Sequence, residues 1–515
     1  MVTADCAPAR AADNNTLRFA GYGAPLGATE KGTLNPFRTF HHLYYNLQHQ
    51  IFETLVAVDL NTQTIVPVLA EKWQKISDKT VRFHLRRGVR FHNNEPFNAE
   101  AVRFSIEMLK DPRNRFPMRF LLDSIARVEC IDDFTVDIIT HYPDALLLRT
   151  LASIGYILPP DYYRRVGDDY FTRYPVGTGP FRYYYTDKSP EGYKQIHFVA
   201  NEDYWHPARP SLHELVCCFI PGPLQWKALE NGAVDMVITQ YTAPGTALQK
   251  KGTHKIVVQK TLRQSVCLLN VDKEGPLADI RVRQAIQHAV NRDAIINDAL
   301  GGYGNPLFSS APEGALGHNP EPVLYEEDLL RARELLSDAG YPDGCSIDVM
   351  ANSDKHTIEI VTVLKRLLGR VGINVNTFFF DGKEIVKKII EPKLNGSFTP
   401  STFDMGVLTG WPSFRGTGAR FSLLFLSSHG IFNFGANIKK ENPVDAMLID
   451  AAGSTTREQF IEKLHKLDRY ILEQSLIVPL YQVEVMYGMK KNVHYAPGLN
   501  DLPHGFWRCF MTDNE

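Results

Sequence analysis

The chain has 515 residues, of which 44% are hydrophobic and 22% charged, a composition that favours a folded globular protein and excludes a disordered or fibrous one. Its formal net charge is −2, and no basic stripe with interleaved aromatic residues occurs, so nucleic acid is excluded as a partner. No stretch approaches the roughly 20 apolar residues that a transmembrane helix requires. Such a length favours about three domain-sized units.

The N-terminus allows two interpretations. Met1 to Asn15 contains the run Ala-Pro-Ala-Arg-Ala-Ala without an apolar segment before it. This is typical of the small-residue end of a signal peptide, or of a mature start with an added Met, after removal of the hydrophobic part. A disordered cytosolic N-terminus fits these residues equally well.

The cysteines are scattered and contain no Cys-x-x-Cys pair, so no metal framework is predicted. Buried free thiols are expected, with one or two disulfides left open if the compartment is oxidising. The seven positions are Cys6, Cys130, Cys217, Cys218, Cys267, Cys345 and Cys509.

Hydrophobic periodicity predicts alternating strands and helices in the first half of the chain. Val81, Phe83 and Leu85 alternate with polar residues, which is the period of a half-buried strand. The predicted elements are a strand at Thr16–Ala20, a helix from about His41 to Leu55, a hairpin around Asp59–Thr64, the strand at Val81–Leu85, a helix capped by Asn98, a strand at Thr135–Ile139 and a helix at Asp144–Ala152. In the helix after Asn98, Val102, Ile106 and Leu109 are predicted to form an apolar stripe on one face.

The second half repeats this alternation. Asp279 and Asn291 are predicted to cap successive helices, the second of which ends at Gly301. The alternation predicts an α/β fold with a largely parallel sheet covered on both faces. From Ser346 the predicted order is strand Ile347–Met350, helix Ile358–Leu368, strand Ile373–Phe379, helix Lys383–Ile390, strand Phe403–Leu408, helix Arg457–Gln474 and strand Ile477–Gln482.

Five sequence blocks, in order from Leu69 to Trp411, carry a family resemblance. They are Leu69–Trp73 with Val81–Phe91 and Glu95–Glu100; Pro175-Val-Gly-Thr-Gly-Pro-Phe181 with Asn201-Glu-Asp-Tyr-Trp205; Asp279–Ile286 with Ala289–Asp293; Ala332–Gly344; and Phe403-Asp-Met with Gly410-Trp411. With these blocks the chain resembles the extracellular solute-binding proteins of family 5, which serve peptide, nickel and opine importers of the ATP-binding-cassette type. The resemblance favours a processed export signal at the N-terminus and a periplasmic location.

Local chemistry suggests that these blocks support the fold. Gly177 and Gly179 are expected to adopt backbone angles that other residues avoid. Arg281 and Arg283 are expected to cover apolar surface with their stems while their heads pair with carboxylates.

The resemblance implies a two-lobed periplasmic-binding-protein fold of class II, cluster C type, with an extra subdomain in lobe 1. The ligand would lie between the lobes and be enclosed by hinge closure. The chain would pass between the lobes near Val266–Val271 and Glu484–Gly488. The implied division is a processed or flexible N-terminus at 1–15, lobe 1 at 16–45, 178–266 and 485–515, the extra subdomain at 46–177, and lobe 2 at 267–484.

The segment after Gly410-Trp411 indicates the ligand class. Peptide-binding members place an acidic residue a few positions after this pair, where it meets the ammonium group of the peptide. Residues 410–420 here contain no Asp or Glu but do contain Arg415 and Arg420. A guanidinium in a closed cleft favours a carboxylate or phosphate. The alternative is that both arginines belong to a solvated loop.

Trp411 offers a flat face for a sugar or an apolar group, although a core tryptophan would have the same sequence signature. By resemblance, the loop after the first strand and the turn after the first strand of lobe 2 also face the ligand. The complete set of predicted ligand-binding residues is Tyr22, Gly23, Glu30, Lys31, Asn352, Ser353, Trp411, Ser413, Arg415 and Arg420.

These features favour an opine or a sugar-phosphate conjugate of the agrocinopine sort. The alternative is a peptide receptor whose ammonium partner is another residue such as Glu30, followed by a nickel-chelate carrier. The expected protein partner is the membrane permease of the importer, and the receptor is expected to be a monomer.

Catalytic patterns do not emerge from the sequence. His84, His92 and His206 lack metal-ligand spacing, and surface or capping positions are expected for them. There is no Gly-x-Ser-x-Gly elbow and no phosphate-binding loop. The sequence therefore predicts a binding protein without catalytic residues, metal or cofactor.

Overall fold

The structure, a computed structural model, describes residues 15–21, 34–38, 42–59, 61–114, 116, 118–240, 243–385, 387–388, 391–394, 403–412, 417–428, 430, 432–433, 442–497 and 506–512. Within these ranges the strands are β1 (Thr16–Gly21), β2 (Val56–Asp59), β3 (Thr64–Pro67), β4 (Ala70–Ser77), β5 (Thr80–Leu85), β6 (Ile125–Asp132), β7 (Thr135–Thr140), β8 (Phe181–Lys188), β9 (Lys194–Ala200), β10 (Glu214–Cys218), β11 (Met236–Thr239), β12 (Lys255–Leu269), β13 (Asn305–Pro306), β14 (Cys345–Asn352), β15 (Ile373–Phe380), β16 (Met405–Pro412), β17 (Ile477–Met489), β18 (Val493–His494) and β19 (Phe510–Met511).

The helices in the same ranges are α1 (His42–Ile51), α2 (Ala99–Lys110), α3 (Leu147–Ile154), α4 (Pro160–Arg173), α5 (Gly222–Glu230), α6 (Ala243–Lys251), α7 (Ile280–Ala289), α8 (Arg292–Leu300), α9 (Leu329–Asp338), α10 (Lys355–Gly369), α11 (Gly382–Ile385), α12 (Glu391–Leu394), α13 (Gly418–Phe425), α14 (Pro443–Ala452) and α15 (Arg457–Glu473). The predicted caps are confirmed, because Asn98, Asp279 and Asn291 accept hydrogen bonds from the first-turn N–H groups of α2, α7 and α8. Gly301 ends α8 in the left-handed conformation, at φ +64°.

The main sheet in the described ranges has 11 strands, in the order β15-β14-β16-β12-β17-β11-β1-β10-β9-β8, with β13 pairing to β17. The prediction of a largely parallel sheet is wrong. Only the β1–β10, β1–β11, β14–β15 and β14–β16 pairs are parallel, and the long strands β12 and β17 run antiparallel to each other and to their other neighbours. Helical periodicity predicted the βαβ units but not the strands that return without a helix.

A separate four-stranded antiparallel sheet, in the order β4-β5-β7-β6, is formed by residues of the predicted extra subdomain. Helix α2 buries Val102, Ile106 and Leu109 in the core shared with this sheet, while Phe83 of β5 is fully buried. The apolar stripe predicted for α2 is therefore confirmed.

Several boundaries differ from the prediction. Helix α1 ends at Ile51 instead of Leu55, because Thr54 leaves the helix to form a β-bridge with Tyr156. Helix α3 starts at Leu147 because Asp144 accepts the N–H of Leu146 in the turn before it. Of the helix predicted at Lys383–Ile390, residues 383–385 belong to α11. Residues 386 and 389–390 lie outside the described residues.

The last two predicted strands are longer than expected. Strand β16 reaches Pro412 instead of ending at Leu408, because β12 continues the ladder as far as Arg263. Strand β17 extends from Ile477 to Met489, seven residues beyond the predicted end at Gln482. Both extensions come from long-range pairing, which local periodicity does not report.

The Gly177–Gly179 loop packs directly on the end of α1. A Cβ atom on Gly177 would lie 2.1 Å from the carbonyl oxygen of Ile51, and one on Gly179 would lie 2.6 Å from that of Gln50. Neither glycine has a positive φ angle. The expectation of unusual backbone angles was therefore wrong, and close backbone approach is the reason for glycine here.

Glu53 lies beside this loop and joins the two parts of the second sequence block. Its carboxylate accepts hydrogen bonds of 2.8 Å from Thr178 Oγ1, Tyr204 Oη and Trp205 Nε1. Burial raises the pKa of Glu53 to about 7, although the three donors act in the opposite direction. The Thr-Gly-Pro and Tyr-Trp motifs thus meet at one buried carboxyl group.

His92 is half-buried and bridges the same loop. Its Nε2 lies 2.9 Å from the carbonyl oxygen of Gly179, and the N–H of Gly177 donates to its Nδ1 over 3.4 Å. These contacts require a neutral ring with its proton on Nε2, and burial lowers the pKa of His92 to about 4. His92 therefore stabilises a loop by contacts with its backbone, which is neither the surface position nor the capping position expected for it.

The two arginines of the third block have different kinds of partner. Arg281 pairs with Asp279 at 2.6 Å, as predicted. Arg283 instead donates to the backbone carbonyl oxygens of Leu277, Ala278 and Gln474. Arg283 therefore stabilises the ends of two helical segments by donating hydrogen bonds to uncharged carbonyl oxygens.

Candidate ligand-binding site

Most of the predicted ligand-binding residues lie outside the described residues. These are Tyr22, Gly23, Glu30, Lys31, Ser413 and Arg415. Arg420 lies in α13, and its side chain is also outside the described part. The remaining three, Asn352, Ser353 and Trp411, lie at the ends of adjacent strands of the main sheet.

Asn352 and Ser353 lie at the carboxyl end of β14, between β15 and β16. Asn352 is half-buried, and its Oδ1 atom is buried without a hydrogen-bond partner among the described residues. Ser353 is exposed, and its N–H donates to the carbonyl oxygen of Phe380 over 3.0 Å. Because β14 and β16 are parallel, the turn containing these residues lies at the same edge of the sheet as the end of β16.

Asp354 joins this turn to β16. Its carboxylate accepts the N–H of Thr357 at 3.0 Å and the hydroxyl of Thr357 at 2.7 Å, and it thereby caps α10. The Thr357 hydroxyl also lies 2.8 Å from the hydroxyl of Thr409 on β16. The cap therefore fixes the start of α10 next to Gly410.

Trp411 packs into an aromatic cluster. Its ring centroid is 5.0 Å from that of Phe425 and 4.8 Å from that of Phe432, and the residue is half-buried. Contacts of this kind stabilise a core. They favour the packing interpretation of Trp411 over a free flat face for a sugar.

Gly410 is constrained by both its backbone angle and its neighbours. Its φ angle is +65°, its N–H donates to Ser265 Oγ over 2.9 Å, and its carbonyl oxygen accepts a 2.6 Å bond from Nε of Arg263. A Cβ atom here would lie 3.0 Å from Nε2 of Gln240 and 3.2 Å from Nη2 of Arg263. Glycine is therefore required both by conformation and by space.

Sequence reasoning missed Arg263 and Gln240. Arg263 is 9% exposed and Gln240 is half-buried, and they come from β12 and from the residue directly after β11. Neither residue belongs to a motif, and they meet only because of long-range strand pairing. No sequence signal marks them except their proximity to the ends of predicted strands.

Two further ring side chains border Arg263. Nε2 of His356 lies 3.2 Å from the hydroxyl of Tyr481. Burial lowers the pKa of His356 and raises that of Tyr481, and the charge of Arg263 keeps the His356 pKa low while Asp354 opposes this effect. Both rings are consequently neutral at pH 7, and Arg263 is the cation among these groups.

The site lies where the two long strands change partners. Strand β17 pairs with β11 through Met486–Met489, whereas β12 pairs with β16 through Arg263–Leu269. The β12–β17 register is irregular between the Lys260–Glu484 and Gln264–Gln482 pairs. Arg263 lies within this irregular stretch, and Gln240 directly follows β11, which pairs with β17 beyond it.

Other functional classes find no support in the described residues. No group of three or more His, Cys, Asp and Glu side chains there is arranged to hold a metal ion. No helix among them is long and apolar enough to cross a membrane. The cysteines in the same ranges, Cys130, Cys217, Cys218, Cys267, Cys345 and Cys509, are free thiols, and Cys6 lies outside the described residues.

Comparison with known proteins identifies relatives along nearly the whole chain. The family model described as "Bacterial extracellular solute-binding proteins, family 5 Middle" matches residues 64–431. The heme-binding protein A of Haemophilus influenzae is 28% identical over 501 residues, which cover 91% of this chain and 87% of that protein.

Two solved structures share the fold. The periplasmic binding protein DppA of Helicobacter pylori, in complex with the peptide STSA, has a TM-score of 0.82 at 23% identity and covers 96% of this chain and 98% of its own. The binding protein AgaA of "A.tumefacien R10", in complex with agropinic acid, has a TM-score of 0.80 at 24% identity and covers 97% and 99%. These neighbours are two-lobed, and the predicted α/β two-lobed fold is confirmed.

Proposed function

This chain belongs to the bacterial extracellular solute-binding proteins of family 5, and we propose that it captures a small anionic ligand, either an opine or a sugar-phosphate conjugate of the agrocinopine sort. It is a periplasmic solute-binding protein of an ATP-binding-cassette importer. Its family consists of binding proteins, not enzymes.

The observation that carries the proposal is the composition of residues 410–420. This segment begins at Gly410-Trp411, contains no Asp or Glu, and contains two arginines, Arg415 and Arg420. A cleft without a carboxylate at this place lacks the partner for an ammonium group, whereas guanidinium groups bind carboxylates and phosphates bidentately. The structural neighbour bound to agropinic acid, which is an organic acid, supports this ligand class.

We further propose that lobe 1 comprises residues 16–45, 178–266 and 485–515, the extra subdomain residues 46–177, and lobe 2 residues 267–484. Strands β12 and β17 would then carry the chain between the lobes. The irregular register between Lys260 and Gln264 supports a bending point in these strands, because disrupted ladders bend more easily than regular ones. Hinge closure there would bring the lobes together around the ligand.

A peptide is the second candidate ligand. The neighbour bound to the peptide STSA supports it, and Glu30 would then supply the partner of the ammonium group. Heme, the ligand named for the relative from Haemophilus influenzae, has two propionate carboxylates and falls within the anionic class. A nickel chelate remains a third candidate.

Isothermal titration calorimetry against opines, dipeptides, glutathione, hemin and a nickel chelate tests the proposal. We expect opine or sugar-phosphate binding to be tightest, and tight binding of neutral dipeptides without opine binding would contradict it. Arg415→Ala is expected to cost about 2 kcal/mol of affinity if the side chain pairs with a desolvated anion. The control Arg469→Ala, on the exposed side of α15, should have no effect. An unchanged affinity for Arg415→Ala would assign Arg415 to a solvated loop.

A further inference from the structure

A backbone hydrogen bond joins the four-stranded-sheet unit to α14. The N–H of Ala145 donates to the carbonyl oxygen of Ala452 over 2.7 Å. Ala145 lies two residues before the start of α3, and Ala452 is the last residue of α14. In the proposed division the first belongs to the extra subdomain and the second to lobe 2, so these two units meet directly.

The turn that contains the donor is held in place by side-chain bonds. The N–H of Leu147 donates to the carbonyl oxygen of Asp144 over 3.2 Å, and Leu146 has φ −93° and ψ −8°, as in a type I turn. The Asp144 carboxylate accepts the N–H of Leu146 over 2.8 Å and the hydroxyl of Ser124 over 2.6 Å. The N–H of Ala145 therefore has a fixed direction relative to the rest of its unit.

The acceptor lies at the end of a helix, where carbonyl groups need donors from outside the regular helical pattern. The carbonyl oxygens of Ile449, Asp450 and Ala451 accept from Gly453 N, Lys463 Nζ and Ser454 N at 3.0, 2.8 and 3.1 Å. These donors all come from α14, α15 or the connection between them. The donor to Ala452 comes instead from the other unit, and it completes the hydrogen bonding of this helix end.

The two elements are attached to different parts of the molecule. Helix α14 packs against α13 and α15, whereas α3 packs against β2. Bending of β12 and β17 near Lys260–Gln264 would rotate lobe 2 relative to the extra subdomain and so change the distance between Ala145 and Ala452. Because a hydrogen bond is lost once its atoms are more than about 3.5 Å apart, this bond belongs to the closed arrangement of the lobes.

We propose that the turn at Asp144–Leu147 is a latch, which holds the extra subdomain to α14 of lobe 2 and so raises the fraction of closed receptor. The inference rests on the proposed function, since it assumes the proposed lobes and their hinge closure. One neutral hydrogen bond, exchanged for bonds to water on opening, shifts such an equilibrium about 3- to 10-fold. Since the fraction of binding-competent receptor sets the apparent affinity, the latch would raise the affinity for a ligand without touching it.

Ala145→Pro tests the latch with little change to the turn. Proline lacks the N–H and is favoured at the second position of a type I turn, especially after Asp. The substitution therefore removes the donor to Ala452 and keeps the turn. Ala145→Ser retains the N–H at this exposed position and is the matched control.

The measurement is the distance between the extra subdomain and lobe 2 in the full chain. Spin labels are attached to exposed Cys130 on β6 and to Lys466→Cys on the exposed side of α15, in a Cys6→Ser, Cys345→Ser background. Double electron–electron resonance then gives the ratio of long to short distances without ligand. Isothermal titration calorimetry with mannopinic acid and with the dipeptide Met-Leu gives the affinity for each probe that the wild type binds.

We expect Ala145→Pro to raise the ratio of open to closed receptor about 3- to 10-fold and to weaken binding of either probe by the same factor, while Ala145→Ser behaves as wild type. Should Ala145→Pro fail to fold, as judged by circular dichroism, Asp144→Ala replaces it. This variant removes the acceptor of Leu146 and Ser124, loosens the turn, and should shift the ratio in the same direction.

The outcomes separate the latch from the proposed function. A variant without the Ala145 donor that keeps the wild-type distances and affinities overturns the latch and leaves the solute-binding function intact. A wild type whose distances do not change with a bound probe contradicts hinge closure, and with it both the latch and that part of the proposed function.

Discussion

Replacing Glu53 by Gln should change how the stability of the protein depends on pH. Glu53 is 8% exposed and accepts hydrogen bonds from Thr178, Tyr204 and Trp205. Burial raises its pKa in the folded state from 4.5 to about 7. Between these two values the folded state binds one more proton than the unfolded state, so the contribution of Glu53 to stability falls as the pH rises.

The magnitude follows from the pKa difference. Each pKa unit corresponds to about 1.4 kcal/mol, and integration between pH 5 and pH 8 gives a loss of about 2.5 kcal/mol. His92 acts with the opposite sign, because its folded pKa is lowered to about 4 and its contribution to stability rises with pH between about 4 and 6.5. The two groups therefore oppose each other in the wild type, and Glu53→Gln removes one of them.

Urea-induced unfolding at pH 5, 6, 7 and 8 measures the effect. The free energy of unfolding of Glu53→Gln, relative to that of the wild type, should rise by about 2.5 kcal/mol from pH 5 to pH 8. The control Glu202→Gln, an exposed glutamate in the Asn201–Trp205 block, should follow the wild type at every pH. Parallel pH profiles for Glu53→Gln and the wild type would refute the assignment of a buried, proton-binding carboxyl group.

Three other substitutions or reactions test the packing. Gly177→Ala should lower the free energy of unfolding by about 3 kcal/mol, because its Cβ would overlap the Ile51 carbonyl oxygen. The control Gly369→Ala, whose Cβ would have no atom within 4 Å, should cause no loss. Equal effects of the two substitutions would contradict the close approach at Gly177. Arg292→Met should lower the free energy of unfolding, measured by chemical denaturation, by about 3 kcal/mol, because the buried carbonyl oxygens of Leu307 and Pro479 lose their donor. Wild-type stability of this variant would disprove the role of Arg292. A maleimide should label exposed Cys130 well before Cys217 and Cys267 in the native protein, and comparable rates by mass spectrometry would contradict the burial of these two thiols.

Local patterns in the sequence were sufficient for much of the fold. The caps at Asn98, Asp279 and Asn291 and the apolar stripe of α2 depend on neighbours within one or two helical turns, and they were predicted correctly. The length of β17 and its antiparallel pairing with β12 depend on residues more than 200 positions apart. Local hydrophobic periodicity gives no information about such long-range pairing. For this reason the sheet was wrongly expected to be largely parallel.

The candidate site illustrates the same limit. Gly410 and Trp411 were found because they form part of a recognisable block, but Trp411 packs against Phe425 and Phe432. Arg263 and Gln240 carry no motif, and only their convergence on Gly410 distinguishes them from other strand residues. The contacts around Gly410 were therefore not predictable from spacing along the chain.

Calorimetric titration of the wild-type chain with mannopinic acid and with the dipeptide Met-Leu tests the central claim most directly. An anion-selective receptor with Arg415 in its site should bind the opine at least 10-fold more tightly than the dipeptide. Tighter binding of Met-Leu would contradict the anionic-ligand proposal and identify the protein as a peptide receptor of the same family.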